Sequence, residues 1–463
     1  MKYNTKNFKW VRISTQHFMP EYRPMIKRFL FFPRKEFYPS RFSFCCCAHS
    51  RYSFFVLPKA STPLTRDHSS STLCSLRSRE TAIHKIGLKR TSTTKSKMSD
   101  SEADPELLDL LRQHLQGKLN LDEEPETGVL GGAEYVYDNS IDVALDMRAT
   151  KNAAAFIYDQ MQRKQYSTEK WAEHELHPKT KDESAVAFIF TMDLLNFSFW
   201  SLRSEDERFA VSYRDKTWTG YWSLVASLQR ALEEDIPITD PHFWQNEEEC
   251  NLESLRHVFR SCTDEEIPLL EDRLTCLREA GQVLYEKYDC SFASCIEAAN
   301  GSAAALVNLL AQDFSCFRDE FQFEGRRKPI RFLKRAQILV ADIWGCFNGE
   351  SYGAFRDIDK ITMFADYRVP QILATLGCIG YSPPLHALIS RKETIESGSK
   401  YEMQLRACSI WCVELIRREI ERNHPGAKVN AILIDFFLYD TMKLMEAEGK
   451  ETMPHHRTRS IWY

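Results

Sequence analysis

A succession of helical patterns from Tyr221 to Met445 limits this chain to a fold built mainly of helices. Apolar residues recur at helical spacing in Tyr221–Glu234, Leu252–Phe259, Leu269–Tyr288, Ala303–Phe314, Phe332–Phe347, Tyr401–Arg422 and Asn430–Met445. Asp240-Pro241 and Ser302 are typical helix openings. No internal repeat of fixed period is present, which argues against a helical solenoid. The pattern predicts one compact, mainly α unit from about residue 100 onward.

One small β-element is predicted within this helical body. Phe197–Leu202 and Phe209–Tyr213 are rich in aromatic residues and flank the charged loop Ser204–Arg208, a pattern typical of a hairpin. Upstream, Gly128–Gly132 is typical of a linker, and it follows an amphipathic helix predicted over Pro105–Leu119.

The stretch Asp357–Gln371 is predicted to form a short helix, a tight connection at Ala365-Asp366, and a second helix. Asp359 and Asp366 are predicted N-caps, because a short carboxylate accepts the free amide hydrogens of a first turn. Pro370 is tolerated only near the start of the second helix, and Gly377 is a natural end for it. The helix dipole would favour the ionised form of Asp366. Taken alone, these features indicate a structural cap and nothing more.

Charge is distributed very unevenly along the 463 residues. Residues 1–97 hold 20 Lys and Arg against four acids, which leaves 41 basic and 61 acidic residues in 98–463, a net charge of −20. Such an acidic body is a poor partner for a phosphate backbone, which is bound through Lys and Arg. We therefore expect a small-molecule substrate and no stable nucleic-acid partner, while a local basic pocket stays compatible with the composition.

The basic N-terminal segment differs from everything after it. It is rich in Ser, Thr and Arg and poor in acids, as organellar transit peptides are, and Met98 is a second plausible start. We favour a disordered extension over residues 1–97, with 98–463 as the working domain in the cytoplasm. A genuine transit segment would direct the chain to mitochondria instead. No apolar run reaches the roughly 18 residues of a membrane span, so no membrane partner is expected.

The 14 cysteines include no CxxC pairs with zinc spacing. Cys408 and Cys412, one helical turn apart in an apolar run, are expected to be reduced core thiols. The pair His455-His456 is the nearest approach to a metal-ligand cluster, and it is weak. We expect neither a metal nor a cofactor.

Seven separated blocks, in the same order, resemble the queuosine salvage protein family, the queuosine 5'-phosphate N-glycosidases. They are Asp193–Trp200, Gly220–Leu224, Lys334–Asp342, Asp357–Gln371, Cys408–Leu415, Ile434–Asp440 and His456–Tyr463. The resemblance implies a hydrolase that converts queuosine 5'-phosphate to queuine and ribose 5-phosphate, for queuine salvage into tRNA. By analogy it implies a helical fold resembling the helix-hairpin-helix DNA glycosylases, because a hairpin followed by an Asp is their local arrangement.

The resemblance also assigns roles to residues inside these blocks. Cleavage of an N-glycoside passes through a cationic sugar, which a carboxylate stabilises or supplies with water. That role falls to Asp366, and Phe364 would pack on the ligand. Recognition of the base and of its charged arm falls to Asp435, Phe436 and Asp440.

The sequence qualifies the assignments of Asp435 and Asp440, of Phe436, and of a further ligand contact, His174. On one helix Asp435 and Asp440 would point about 140° apart, so they share a pocket more easily if the segment begins as a strand or turn. Without the resemblance, one solvated acid and one N-cap would be the simpler interpretation. Phe436 replaces the more usual Tyr of the family, which removes a hydroxyl and keeps stacking. His174 matches a family histidine that contacts the ligand, although His177 lies three residues away.

Basic residues in or beside the matching blocks are the candidates for binding the 5'-phosphate, since Lys and Arg are its usual partners. They are Lys334, Arg335, Arg368, Arg457 and Arg459. Asp193, Asn196 and Asp342 lie in apolar runs, and buried polar groups need partners, so these three are interpreted as structural supports of the site.

Two other function classes stay open at this point. A helix-hairpin-helix nucleic-acid glycosylase would act on a flipped base, and the acidic body argues against it. A non-catalytic protein that binds queuosine metabolites would need no catalytic acid, and the presence of Asp366 argues against that class.

Overall fold

The computed structural model describes residues 125–450 and 452–463, so the predictions for residues 1–97 and for the helix at 105–119 lie outside the described residues. The helices of the first half are α1 (Val129–Asp138), α2 (Met147–Arg163), α3 (Glu169–Glu173), α4 (Glu183–Leu194), α5 (Tyr221–Glu233), α6 (Pro241–Gln245), α7 (Leu252–Val258), α8 (Leu270–Lys287) and α9 (Phe292–Ala298). The remaining helices are α10 (Ala303–Asp313), α11 (Lys334–Cys346), α12 (Arg368–Thr375), α13 (Pro383–Ser390), α14 (Lys400–Asn423) and α15 (Ala431–Ala447). The mainly α class is thus confirmed.

The core is organised around α14, which has 24 residues and is buried without interruption from Glu402 to Glu414. A helix that is buried over most of its circumference must be surrounded by other elements. Helices α1, α2, α12 and α15 pack on it accordingly. Cys408 and Cys412 lie within this buried stretch as free thiols, as the sequence predicted.

Strands are short, and they differ from the prediction of one small β-element. Three two-stranded antiparallel sheets are present in the described residues. They pair β1 (Val143–Leu145) with β6 (Ile379–Tyr381), β2 (Ala210–Tyr213) with β3 (Lys216–Thr219), and β4 (Glu320–Phe321) with β5 (Ile330–Arg331).

The predicted hairpin is wrong in one of its two strands. The strand predicted over Phe209–Tyr213 is present as Ala210–Tyr213, but it pairs with Lys216–Thr219 and not with Phe197–Leu202. The turn residues Arg214 and Asp215 have φ values of 51° and 58°. Two consecutive left-handed residues form the turn whose twist matches that of the flanking strands, which explains a two-residue connection here.

Most helix predictions agree with the structure to within one or two residues. Asp240 caps α6 by accepting from the backbone N–H of His242, and Ser302 caps α10 by accepting from Ala305. The linker predicted at Gly128–Gly132 is wrong, because only Gly128 precedes α1 and the rest of this stretch is helical. Tertiary burial of this helix against α14 outweighs the low helix propensity of its glycines.

The stretch before α12 is less helical than predicted. A single 3₁₀ turn spans Ile358–Lys360, and the chain then runs without regular secondary structure through the buried residues 361–365 to Asp366. Asp359 is exposed and caps nothing, so that prediction is wrong. Its neighbour Asp357 is the buried carboxylate, and it accepts from the backbone N–H of Ala303 (2.6 Å) at the start of α10. The predicted stop at Gly377 is confirmed by a left-handed φ of 74° just after α12.

In the part of the chain that the structure describes, no helix combines the length and the apolar character needed to cross a membrane.

Candidate active site

A cavity of about 810 Å³ lies where several segments that are distant in sequence meet. Its walls come from the segment around α3, the stretch Asn196–Arg208, the start of α5, one face of α11, the start of α12, α15 and the segment 452–463. Cavities of this size are typical of sites for small molecules. The sequence placed candidate residues in most of these segments, and the structure brings most of those residues together.

Asp366 lines the cavity just before α12. Its Oδ1 accepts from the backbone N–H groups of Arg368 (2.8 Å) and Val369 (3.0 Å), so the predicted cap is present. Both bonds use Oδ1, which leaves Oδ2 for a ligand. Burial raises the pKa of Asp366, while the charge of Lys334 and the two backbone N–H groups act in the opposite direction.

Lys334 is the first residue of α11 and lines the same cavity, with only 6% of its surface exposed. Leu333 before it has a left-handed φ of 49°, a conformation that Leu adopts only when its surroundings impose it. Burial lowers the pKa of Lys334, and the charges of Asp366, Asp193 and Asp435 act against that shift. Lys334 and Asp366 are therefore close enough for the charge of each to shift the pKa of the other.

Asp435 connects α15 to the segment that carries Asp366. Its Oδ2 accepts from the backbone N–H of Phe364 at 3.0 Å. Burial and the neighbouring charge of Asp366 raise the pKa of Asp435 well above its ordinary value. The rings of Phe364 and Phe436 lie 5.9 Å apart at 47°, and both line the cavity.

Asp440 lies on the same helix as Asp435, so the strand or turn considered for this segment is wrong. Helix α15 is continuous from Ala431, with Asn430 as its cap. Both acids nevertheless line the cavity, because it extends around this part of α15. Oδ2 of Asp440 accepts a 2.6 Å hydrogen bond from the hydroxyl of Tyr166. Sequence reasoning missed Tyr166, since nothing links a single loop tyrosine to an acid 274 positions later.

An aromatic layer containing His174 forms another wall. The rings of His174 and Trp222 stack with centroids 3.3 Å apart and an interplanar angle of 14°. His177, which the sequence could confuse with His174, is buried deeper: its Nδ1 donates to the carbonyl of Trp171 (2.7 Å) and its Nε2 accepts from the hydroxyl of Tyr221 (2.9 Å). Burial lowers the pKa of His177 to about 3. His174 is thus the better placed of the two to contact a ligand.

The five basic candidates separate into two groups. Lys334, Arg368 and Arg457 line the cavity, but the guanidinium of Arg368 is paired with Glu446. Arg335 does not reach the cavity, which corrects its assignment as a phosphate contact. Its guanidinium is fully buried and donates to the backbone carbonyls of Leu194, at the end of α4, and of Cys316.

Arg459 is also directed elsewhere, because its guanidinium lies 3.7 Å from the ring centroid of Trp200 and donates to the carbonyl of the same residue at 2.8 Å.

Two buried carboxyl groups support the wall formed by α11. Oδ1 of Asp342 accepts from the indole N–H of Trp171 (2.9 Å), and Oδ1 of Asp193 accepts from the side-chain amide of Asn196 (2.9 Å). Burial raises the pKa of Asp193 to about 7, and burial together with the charge of Asp193 raises the pKa of Asp342 well above its ordinary value. Asp342 and Asn196 also line the cavity.

Across residues 125–450 and 452–463, no three side chains of His, Cys, Asp or Glu converge closely enough to hold a metal ion.

Comparison with known proteins places this site in a family. Residues 176–463 match the family model described as "Queuosine salvage protein". The chain is similar to the "Queuosine 5'-phosphate N-glycosylase/hydrolase" of Schizosaccharomyces pombe, with 43% identity over 349 residues that cover 72% of this chain and 99% of the relative. The proteins of the same name from Mus musculus and Sphaerobacter thermophilus are 42% and 38% identical, each over 97–98% of its own length and 72–73% of this chain. This chain belongs to the queuosine salvage protein family.

Proposed function

We propose that this protein hydrolyses the N-glycosidic bond of queuosine 5'-phosphate and releases queuine and ribose 5-phosphate. The observation that carries the proposal is the placement of Asp366, with one carboxylate oxygen fixed by two helix amides and the other left for a ligand, in an aromatic-walled cavity. The relatives that share the name of this activity align over nearly their whole length.

Asp366 is the proposed catalytic residue. As the bond between C1' of the ribose and the base nitrogen breaks, its electron pair leaves with the base and positive charge develops on the sugar. The Asp366 carboxylate stabilises that charge and directs a water molecule to C1'. The water supplies the hydroxyl of ribose 5-phosphate, and its remaining proton is transferred to the departing queuine. Because Oδ1 is already fixed, the carboxylate needs little reorganisation during the reaction.

Asp435, Asp440 and the rings around them are proposed to bind the base. Phe364 and Phe436 provide apolar faces for a planar base. A carboxylate at Asp440, oriented by Tyr166, is suited to the cationic aminomethyl arm of queuine. Asp435 is buried beside Phe364 and suited to the polar edge of the base. His174, directly after α3, also lines the cavity and is proposed to contact the base.

Lys334 and Arg457 are the proposed contacts of the 5'-phosphate, and Arg368 contributes charge although it is paired with Glu446. A small nucleotide needs only a few such groups, whereas a nucleic-acid backbone needs an extended basic surface. The net charge of −20 over residues 98–463 therefore supports a free nucleotide as the substrate. The relationship to helix-hairpin-helix DNA glycosylases stays a prediction, supported by a short turn and loop that lead into Asp366 and α12.

The proposal is tested by incubating the purified protein with queuosine 5'-phosphate and following free queuine and ribose 5-phosphate by chromatography. We expect both products in equal amounts. A protein that binds the nucleotide with saturation but releases no base would instead be a binding protein. Release of a base from duplex or single-stranded nucleic acid, with none from the nucleotide, would favour the glycosylase alternative.

A further inference from the structure

A buried ion pair lies just behind the cavity without lining it. Arg406 on α14 and Asp319, immediately before β4, have side-chain exposures of 0% and 2%. Their contact is bidentate, with Nη1 to Oδ1 at 2.9 Å and Nη2 to Oδ2 at 2.5 Å. Because desolvation offsets most of the attraction in such pairs, a buried ion pair is weakly explained by stability alone. Its other contacts indicate what it does.

The arginine side of the pair holds the segment that carries Asp366. Nε of Arg406 donates to the backbone carbonyl of Ala365 at 2.9 Å. Ala365 is the residue directly before Asp366 and is fully buried. The guanidinium thereby fixes the peptide from which the proposed catalytic side chain projects. Its geometry is planar and rigid, so it can hold Asp319 and this carbonyl at once.

The aspartate side of the pair holds the beginning of α11. The carbonyl of Asp319 accepts from the backbone N–H of Phe332 (2.9 Å), and its Oδ2 accepts from that of Lys334 (3.2 Å). These bonds bracket Leu333, whose left-handed φ of 49° needs such external support. Asp319 thus sets where the Lys334 side chain enters the cavity.

We propose that Arg406 and Asp319 are positioning residues, which fix the Lys334 ammonium at the distance from the Asp366 carboxylate that the reaction needs. The inference rests on the proposed function of Asp366. One rigid pair contacts the backbone on both sides of the cavity, from α11 and from the segment before α12. No residue of the pair touches the ligand space itself.

The charge environment of Asp366 makes this distance matter. Charged or titratable groups face it from three elements: Lys334 from α11, Tyr367 and Arg368 from the start of α12, and Asp435 and Tyr439 from α15. Among the influences that oppose the burial of Asp366, the charge of Lys334 is the largest. If Lys334 recedes, the Asp366 carboxylate becomes protonated at a higher pH.

Arg406→Lys provides the test, because it keeps the buried positive charge but cannot reach both Asp319 and the Ala365 carbonyl. We expect kcat for queuosine 5'-phosphate to fall at least tenfold. The acid limb of the pH profile of kcat should move to higher pH. Asp319→Asn, which retains an oxygen acceptor, should shift the profile in the same direction and carries the test if Arg406→Lys does not fold.

The matched control is Arg331→Lys. Arg331 pairs with Glu320, next to Asp319 in the chain, and contacts neither Asp366 nor the beginning of α11. This variant should have the wild-type pH profile. An active wild-type enzyme combined with unchanged kcat and pH profile in folded Arg406→Lys or Asp319→Asn would overturn the inference. An inactive wild-type enzyme would instead refute the proposed function, so the two failures are distinguishable.

Discussion

The hydroxyl of Tyr166 donates a 2.6 Å hydrogen bond to Oδ2 of Asp440, joining the loop after α2 to α15 inside the cavity. Burial and the nearby Asp440 charge raise the pKa of Tyr166, so the phenol stays protonated and acts as a permanent donor. The bond fixes one carboxylate oxygen of Asp440 and leaves the other for a ligand.

Tyr166→Phe should therefore weaken substrate binding more than catalysis. Hydrogen bonds to charged groups contribute about 1.5–3 kcal/mol, so we expect KM for queuosine 5'-phosphate to rise about tenfold or more, with kcat changed less than about threefold. Tyr158→Phe is the matched control, because Tyr158 stacks on His424 away from the cavity. Steady-state kinetics of the two variants test this prediction. An equal rise of KM in Tyr166→Phe and in Tyr158→Phe would contradict the role of Tyr166.

Asp366→Asn separates catalysis from capping. The amide oxygen of Asn can still accept from the backbone N–H groups of Arg368 and Val369, so the melting temperature should change by no more than a few degrees. The negative charge facing the sugar is lost, which typically lowers kcat by about a hundredfold or more. We expect a folded variant that still binds queuine and releases almost no base. Retained activity in a well-folded Asp366→Asn protein would remove Asp366 from the mechanism.

The 5'-phosphate should be a large determinant of efficiency. Each charge-assisted contact contributes about 1.5–3 kcal/mol, so kcat/KM for queuosine 5'-phosphate should exceed that for queuosine by at least about tenfold. Arg457→Gln should reduce this preference by lowering kcat/KM for the nucleotide alone. Arg163→Gln, which removes an exposed arginine paired with Asp159, serves as the control. Equal efficiency for nucleotide and nucleoside would contradict the phosphate contacts.

Protonation of the Asp193–Asp342 pair should make stability depend on pH. In the folded chain the pKa of Asp193 is raised to about 7 and that of Asp342 is also raised, so the folded state holds protons that the unfolded state has released. The stability that these groups contribute is fully present below the ordinary carboxyl pKa of about 4. It is lost as the pH rises through the raised pKa values of the folded state, from about 7 upward. The wild-type melting temperature should thus fall between pH 6 and pH 8.

Asp342→Asn should reduce that fall by several degrees, because its amide oxygen still accepts from Trp171 without ionising. Thermal melts at both pH values measure the difference. Asp159→Asn, at an exposed acid on α2, is the control. A slope as steep in Asp342→Asn as in the wild type would contradict this assignment.

Removal of residues 1–97 should leave folding and activity intact. The charge pattern changes abruptly before Met98, and the relatives align over 97–99% of their length with only 72–73% of this chain. Melting temperature and kcat/KM of the full chain and of 98–463 test this expectation. Insolubility or inactivity of the shorter protein would mean that the removed segment contributes to the fold.

Helix boundaries were predictable because their signals are local. Periodic apolar residues and caps such as Ser302 identify a helix without knowledge of its neighbours. The misplaced hairpin shows the limit of local signals, since Phe197–Leu202 has the aromatic composition of a strand but forms irregular chain that is buried at Phe197 and exposed at Leu202. The strand Ala210–Tyr213 pairs instead with Lys216–Thr219 through a left-handed turn at Arg214 and Asp215. This turn contains no glycine, so the sequence does not indicate it.

The sequence predicted which segments contribute to the site, but not which side chains of those segments face the cavity. Lys334, Ile338 and Asp342 follow one another at intervals of four on α11, and all three line the cavity. Arg335 stands one residue, or about 100°, away from Lys334, and its guanidinium is directed instead to the backbone carbonyls of Leu194 and Cys316. The block identified the helix, whereas only the packing of α11 against α4 and α10 determined which of its faces meets the cavity.

The cavity is lined by segments that are distant in sequence, so ligand binding is linked to the folding of the whole domain. A molecule held at once by Tyr166, Lys334, Asp366, Asp440 and Arg457 would bridge segments that no short-range contact connects. Local opening of any one of them would then require the ligand to leave. Amide hydrogens in these remote segments should accordingly exchange with solvent in concert, all slowing together when the substrate or its product is present.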